Sequence, residues 1–154
     1  MKRFIQMLAV AAMLLTPTFF TSSASALTNT QFSLTSDPTT AVVDFSHLTT
    51  PPLPGQPITI SENLKDSNGN LAGSAFIACR VVLFTTTDLL LDCNATFTLT
   101  GGTITGHATF LTSQHNYTAV VLSGTGVYKG VIGTVQVLDR APGDETYNFN
   151  LLQL

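Results

Sequence analysis

The stretch Ser123-Gly124-Thr125-Gly126-Val127-Tyr128-Lys129-Gly130-Val131-Ile132-Gly133 decides how this chain is read. Its four glycines stand between two short runs, 118–122 and 131–138, that are rich in Val and Leu. The flanks have the composition and length of β-strands. Glycine at this density lets backbone turn through positive φ or pass close to a neighbouring strand. A phosphate-cradling loop would need Gly-Lys-Ser/Thr opening a helix, but Lys129 is followed by Gly130, Val131 and a strand. A dinucleotide-binding loop also needs a helix after its glycines, and none is visible here. What remains is a hairpin between antiparallel strands.

Outward from this hairpin the rest of the chain repeats the pattern. Short apolar runs predict strands near 41–48, 57–65, 73–84, 89–99, 103–112, 116–123, 131–139 and 145–152. The breaks have turn chemistry: Pro51-Pro52-Leu53-Pro54-Gly55, Asp66-Ser67-Asn68-Gly69, Gly101-Gly102 and Pro142-Gly143-Asp144. Asn68-Gly69 is a strong hairpin signal. No stretch sustains a 3.6-residue period, so the chain reads as all-β, an eight-stranded antiparallel β-barrel.

Residues 1–26 read as a signal peptide. Lys2 and Arg3 precede a mostly apolar run, and Ala24-Ser25-Ala26 is a small-residue cleavage site. The apolar run is shorter than the ~20 residues a membrane span needs. The expected mature chain is secreted or periplasmic, with no membrane anchor. Residues 27–40, rich in Thr, Ser and Asn without apolar period, read as a flexible N-terminal arm before a barrel domain over 41–154. Beyond residue 26 stand nine acidic side chains and four basic ones, a net charge of −5. That balance excludes nucleic acid as a natural partner. Three dispersed histidines, His47, His107 and His115, have no ligand spacing, so no metal is expected.

Strand alternation sorts side chains onto two faces. In 89–99 the apolar set Leu91, Cys93, Ala95, Phe97 and Leu99 points inward; in 77–83 the inward set is Ile77, Cys79, Val81 and Leu83. Cys79 and Cys93, the two cysteines, thus share a face of consecutive strands, and in an exported protein an isolated pair favours a disulfide. Further inward sets contain Ile104, Gly106, Ala108 and Phe110, and Val131, Gly133, Val135 and Val137. The small residues among them favour a cavity, while Phe97 and Phe110 are large enough to fill it.

Polarity appears on one inward face. In 57–65 Ile58, Ile60, Glu62 and Leu64 share a side, which aligns Glu62 with the core. The run 41–48 is ambiguous: Val42, Asp44 and Ser46 take one face, and Val43, Phe45 and His47 the other. With the first face inward, Asp44 and Ser46 join Glu62 in the lumen. Desolvation and mutual repulsion would then raise one carboxyl pKa, as a general acid requires.

The pattern Gly-Thr-Gly-x-Tyr-x-Gly-x-x-Gly over 124–133, followed by a strand and by Tyr147-Asn148-Phe149-Asn150-Leu151, resembles the allene oxide cyclase and dirigent families. Ile60-Ser61-Glu62-Asn63-Leu64-Lys65-Asp66, the stretch from Gly73 to Val82, and Gly101-Gly102-Thr103-Ile104-Thr105-Gly106 follow the same families in order and spacing. The resemblance covers roughly 41–154 and implies a small barrel with a hydrophobic cavity. Cysteine pairs at these two strands are familiar from its bacterial members. It implies Asp44 and Ser46 at cavity positions of the first strand, Glu62 on the second, Cys79 on the third and Ala108 where cyclases carry a tyrosine. Those departures point away from allene oxide cyclisation itself and towards dirigent-like steering of a reactive intermediate by acidic residues.

Three functions follow as expectations. The first is an isomerase of cyclase or dirigent type acting on a small hydrophobic metabolite without a cofactor. Glu62 and Asp44 would be its catalytic carboxyls, and Ser46, Ile60, Ala108, Phe97, Phe110 and Val135 would line its cavity. The second is a non-catalytic carrier of such a molecule. The third is a structural exported protein with a filled lumen. Relatives of this kind imply a homodimer or homotrimer.

Overall fold

Nine strands, each antiparallel to its neighbours, make up the protein in a computed structural model that describes residues 27–139 and 144–153. They are β1 (Thr28–Ser36), β2 (Val42–Asp44), β3 (Pro57–Lys65), β4 (Leu71–Phe84), β5 (Leu89–Leu99), β6 (Gly102–Leu111), β7 (Asn116–Gly124), β8 (Val131–Asp139) and β9 (Glu145–Gln153). The sheet runs β1-β9-β8-β7-β6-β5-β4-β3-β2, and a further β1–β3 pairing closes it. The result is a closed eight-stranded barrel, β1 with β3 to β9, carrying β2 as one extra strand. Register shifts at Leu64/Lys65, Val81/Leu83 and Thr105/Gly106 supply the local bending that curvature requires.

The glycine hairpin forms as read. Its turn is a single 3-10 turn over Gly126–Tyr128 that lies against the β5–β6 turn. Thr125 and Val127 donate backbone N–H groups to Thr103 and Gly101, both at 2.9 Å. Gly126 has φ 60°, and a Cβ there would lie 1.9 Å from the Gly101 carbonyl oxygen. Two glycine-rich turns thus interlock at one end of the barrel. Gly133 also has a structural reason: at φ 145° its missing Cβ would strike the Asn150 carbonyl oxygen on β9. It serves backbone approach rather than lumen space.

The expected flexible arm over 27–40 is corrected. Residues 28–35 pair with β9, and Thr35 and Ser36 then cross onto Lys65 and Leu64 of β3. This strand, not 41–48, is the first stave of the barrel. Its sequence escapes notice because only Phe32 and Leu34 are large and apolar. Phe32, Leu34 and Ser36 share the lumen face while Gln31, Ser33 and Thr35 meet water. The expected strand over 41–48 shrinks to β2, three exposed residues that continue along the β3 edge.

Between β1 and β2 the chain bulges outward and is pinned at Asp37. The Asp37 N–H donates to the Asn63 carbonyl at 2.8 Å, and the Asn63 N–H donates to Thr40 Oγ1 at 2.9 Å. Lys65 Nζ meets the Asp37 carboxylate at 2.8 Å. Lys65 and Thr39 hold that carboxyl below its ordinary pKa.

The core follows the alternation of the strands. Leu64, Ile104, Val135, Phe97, Phe149, Tyr147 and Leu151 are buried in one cluster; Ile58, Ile77, Val81, Leu91 and the two cysteines form a second. Cys79 and Cys93 stand directly opposite each other on β4 and β5 and are joined as a disulfide. The segment 1–26, read as a signal peptide, lies outside the described residues. Among the described residues no helix is long and apolar enough to cross a membrane.

Candidate functional site

β3 places Glu62 by simple alternation. Ile58 and Leu64, two residues either way from Ile60 and Glu62, are buried, and Glu62 with them is only 4% exposed. A carboxyl at such a position needs a hydrogen-bond partner. β9 provides one, because Glu145, Tyr147, Phe149 and Leu151 share a face. β1 brings the two strands together, with Leu34 opposite Tyr147 on one side and Ser36 opposite Leu64 on the other. The Tyr147 hydroxyl donates to Glu62 Oε1 in a short hydrogen bond.

A second carboxyl stands beside this pair. Ser36 Oγ donates to Glu145 Oε2 at 3.0 Å, and the Glu145 N–H donates back to Ser36 Oγ at 2.9 Å. Burial raises the Glu62 pKa to about 7; the Tyr147 hydrogen bond opposes this rise and the charge of Glu145 adds to it. Burial, followed by the charge of Glu62, pushes the Tyr147 pKa above its usual value, so this phenol stays a proton donor. Near neutral pH the site therefore holds a carboxyl that exchanges its proton readily and a tyrosine that does not.

Tyr147 also forms part of a cavity wall. Phe97 meets it edge-on, with centroids 5.3 Å apart, and Phe97 meets Phe149 in the same way at 5.0 Å. Beside them Ala95, Gly106, Ala108, Phe110 and Tyr117 bound a cavity of about 20 Å³, room for roughly one water molecule. Phe110 and Tyr117 are half-buried and stack face to face with centroids 3.9 Å apart. A larger hollow of about 530 Å³ lies on the outer face among Gln31, Ser33, Gln136 and Asn148, an open concavity with no ionisable residue in its wall. Another, of about 310 Å³, is lined by Glu62 with Thr40, Asn63 and Ser74.

The structure brings together some of the expected residues and separates others. Glu62 lies in the core; Ala108, Phe97 and Phe110 line the cavity; Val135 is fully buried and Ile60 half-buried in the neighbouring core. Asp44 and Ser46 do not reach the lumen, which corrects the reading of 41–48. Both are exposed, and Asp44 Oδ1 accepts the Ser46 N–H at 2.8 Å in a local turn. Hydrogen bonds from Ser46 hold Asp44 below the ordinary carboxylate range, the opposite of a working acid. The cause is the displaced first strand: once β1 fills the barrel position, 42–44 lies on its outside. Cys79 is committed to its disulfide. His107 points outward and pairs with Asp92 at 2.5 Å. No cluster of metal-ligating side chains occurs among the described residues.

Sequence reasoning missed Tyr147, Glu145 and Ser36. The alternation Glu145, Tyr147, Phe149, Leu151 carried the signal for the first two. Nothing marked Ser36 while 27–40 was read as an arm.

No family model matches the chain, and no curated protein does. Solved structures do. Pyocyanin demethylase matches 80% of this chain and 99% of its own at 22% identity, with a TM-score of 0.65. AbnU, an exo-specific intermolecular Diels–Alderase, matches 82% of this chain and 98% of its own at 17% identity and TM-score 0.62. A pterocarpan synthase dirigent protein matches 94% and 97% at 17% identity and TM-score 0.55. The barrel is one that cyclase and dirigent proteins share. At these identities the likeness is one of fold, and the chemistry rests on the residues in the lumen.

Proposed function

We propose that this barrel binds a small hydrophobic molecule in its lumen and isomerises it by proton transfer, as a cyclase- or dirigent-like catalyst. The observation that carries the reading is Glu62: a core carboxyl with a pKa of about 7, hydrogen-bonded to a tyrosine that faces the cavity. Glu62 would donate a proton to the bound molecule and recover one from it, leaving composition unchanged. Tyr147 would orient the substrate atom that receives the proton. The aromatic walls would hold one folded conformer and so provide proximity and orientation. Solved neighbours that perform cycloaddition or belong to the dirigent proteins support this class.

Export and self-association complete the proposal. The disulfide supports an oxidising compartment, in keeping with the signal-like first 26 residues. Val120, Leu122, Ile132 and Leu152 are exposed on the outer faces of β7, β8 and β9, which supports a homodimer or homotrimer. One observation favours a different reading: the cavity of about 20 Å³ suits a filled, structural barrel.

Native mass spectrometry of the protein with metabolite extract separates these. The expected result is a species bound and converted by the wild type and bound but converted about 100-fold more slowly by Glu62→Gln. Equal conversion by both would remove Glu62 from the mechanism. A species released unaltered by both would make the barrel a carrier, and no bound species would favour the structural reading.

A further inference from the structure

Glu62 and Glu145 are the two glutamates of the whole chain; the other seven acidic residues are aspartates. They are far apart in sequence, and the seam of the barrel brings both to one place. Where β1 crosses from β9 to β3, Thr35 pairs with Thr146 and Ser36 with Leu64. Ser36 thus stands between the strand that carries Glu145 and the strand that carries Glu62. It is 5% exposed and grips Glu145 twice. Its hydroxyl donates to Glu145 Oε2 at 3.0 Å and accepts the Glu145 N–H at 2.9 Å. Backbone and carboxyl of Glu145 are therefore fixed together by one side chain. Without that bracket a half-buried glutamate would turn its charge towards water.

The charge held at this point acts on the buried pair. Burial is the main reason that the Glu62 pKa is raised, and the charge of Glu145 adds to it, since a like charge nearby disfavours ionisation. Tyr147 feels Glu145 as well, after its own burial and Glu62, and Tyr117 of β7 acts on it from the other side. Among the described residues no cation pairs with Glu145. Lys65, further along β3, is taken by Asp37, and His107 by Asp92.

We infer that Ser36 and Glu145 are positioning residues of this site: Ser36 holds the Glu145 carboxyl at the seam, and the charge held there keeps the proton on Glu62 until a bound molecule takes it. This inference rests on the reading of Glu62 as the acid and adds the residues that set its working state. Because the bracketing serine is also the residue at which β1 crosses to β3, closure of the barrel loads the acid.

Carbon-13 NMR of the full chain, labelled at the glutamate side-chain carboxyls, tests this without a substrate. Both signals belong to the site, and Glu62→Gln assigns them. Glu145→Gln removes the charge but keeps an acceptor for Ser36, and it is expected to lower the Glu62 titration midpoint by about half a pH unit or more. Ser36→Ala is expected to lower it by less, and Ser36→Thr, which keeps the hydroxyl, to leave it at the wild-type value. The double variant Ser36→Ala/Glu145→Gln is expected to match Glu145→Gln alone, because the serine acts through the glutamate. An unmoved midpoint in Glu145→Gln, or a further drop in the double variant, would overturn the inference. A Ser36→Ala protein that loses stability with its midpoint unchanged would overturn the part given to the serine. If Ser36→Ala fails to fold, Glu145→Gln still decides whether the charge acts on Glu62. Equal substrate conversion by the wild type and Glu62→Gln, with the midpoints moving as expected, would remove the catalytic reading and leave the positioning intact.

Discussion

Two walls of this barrel do different work. The β4–β5–β6 wall is apolar towards the lumen and is locked by the Cys79–Cys93 disulfide between directly opposed residues. The seam where β1 joins β9 to β3 is closed by only two β1–β3 residue pairs, yet Glu62, Tyr147, Glu145 and Ser36 gather beside it. Polar side chains are tolerated there because each finds a partner across strands remote in sequence. The contrast teaches that covalent and titratable restraints occupy different parts of a small fold. A disulfide clamps the apolar wall, while the seam is held by hydrogen bonds to a buried carboxyl that respond to pH.

Breaking the stiff wall gives the largest expected loss of stability. The disulfide closes a loop of 14 residues' separation. Replacing both cysteines by alanine is expected to lower the unfolding free energy by about 3 kcal/mol, read by urea unfolding. The loss should be nearly independent of pH, since neither bridged sulfur titrates. A pH-dependent loss would mean that the two walls are coupled.

The seam should behave in the opposite way. Glu62 has a folded pKa of about 7 against an ordinary value of 4.5. Between those values the folded chain binds the extra proton, so stability falls as pH rises from about 4.5 to about 7 and then levels. The total drop is at most roughly 3 kcal/mol. Glu62→Gln keeps a neutral hydrogen-bonding group and is expected to abolish this slope, so that the variant exceeds the wild type above pH 7 and approaches it near pH 5. Thermal unfolding across that range checks both statements. Tyr147→Phe removes the hydrogen bond that favours the ionised form, so it should move the midpoint of the slope to higher pH.

How much of this was legible before the fold was known follows from the same contrast. The stiff wall was readable as far as Val81, because Ile77, Cys79, Val81 and Leu91, Cys93, Ala95, Phe97 alternate cleanly and lie on strands adjacent in sequence; Leu83, expected inward, is exposed because the register shifts between Val81 and Leu83. Glu62 was readable for the same reason. The seam was not, since its side-chain hydrogen bonds join residues far apart in sequence, Tyr147 with Glu62 and Ser36 with Glu145. Its first strand, Thr28–Ser36, buries few large side chains and resembles a loop. A strand over 41–48 in the first barrel position would make Asp44 the carboxyl beside Glu62; with Thr28–Ser36 in that position, Glu145 holds the place. Local alternation reveals which side chains point inward; only closure of the sheet decides which of them meet.

The smallest expected effect sharpens the comparison at the seam itself. Asp37 pins the bulge between β1 and β2 through Lys65, Thr39 and the backbone of Asn63. Its pKa is lowered chiefly by Lys65, so its contribution is present above its unfolded value of 3.8 and lost as pH falls through the folded value. Asp37→Asn is therefore expected to lower the melting temperature modestly at pH 7, by an amount that shrinks as pH falls through the lowered pKa of Asp37. The neutral-pH difference should shrink in high salt, because the Lys65 side chain is 38% exposed. Hydrogen exchange would locate the change: faster exchange at Asn63 and Ser36, with the β4–β5 amides unmoved, is what a seam independent of the stiff wall requires. Loss of protection on β4 as well would show instead that the bulge props up the whole barrel.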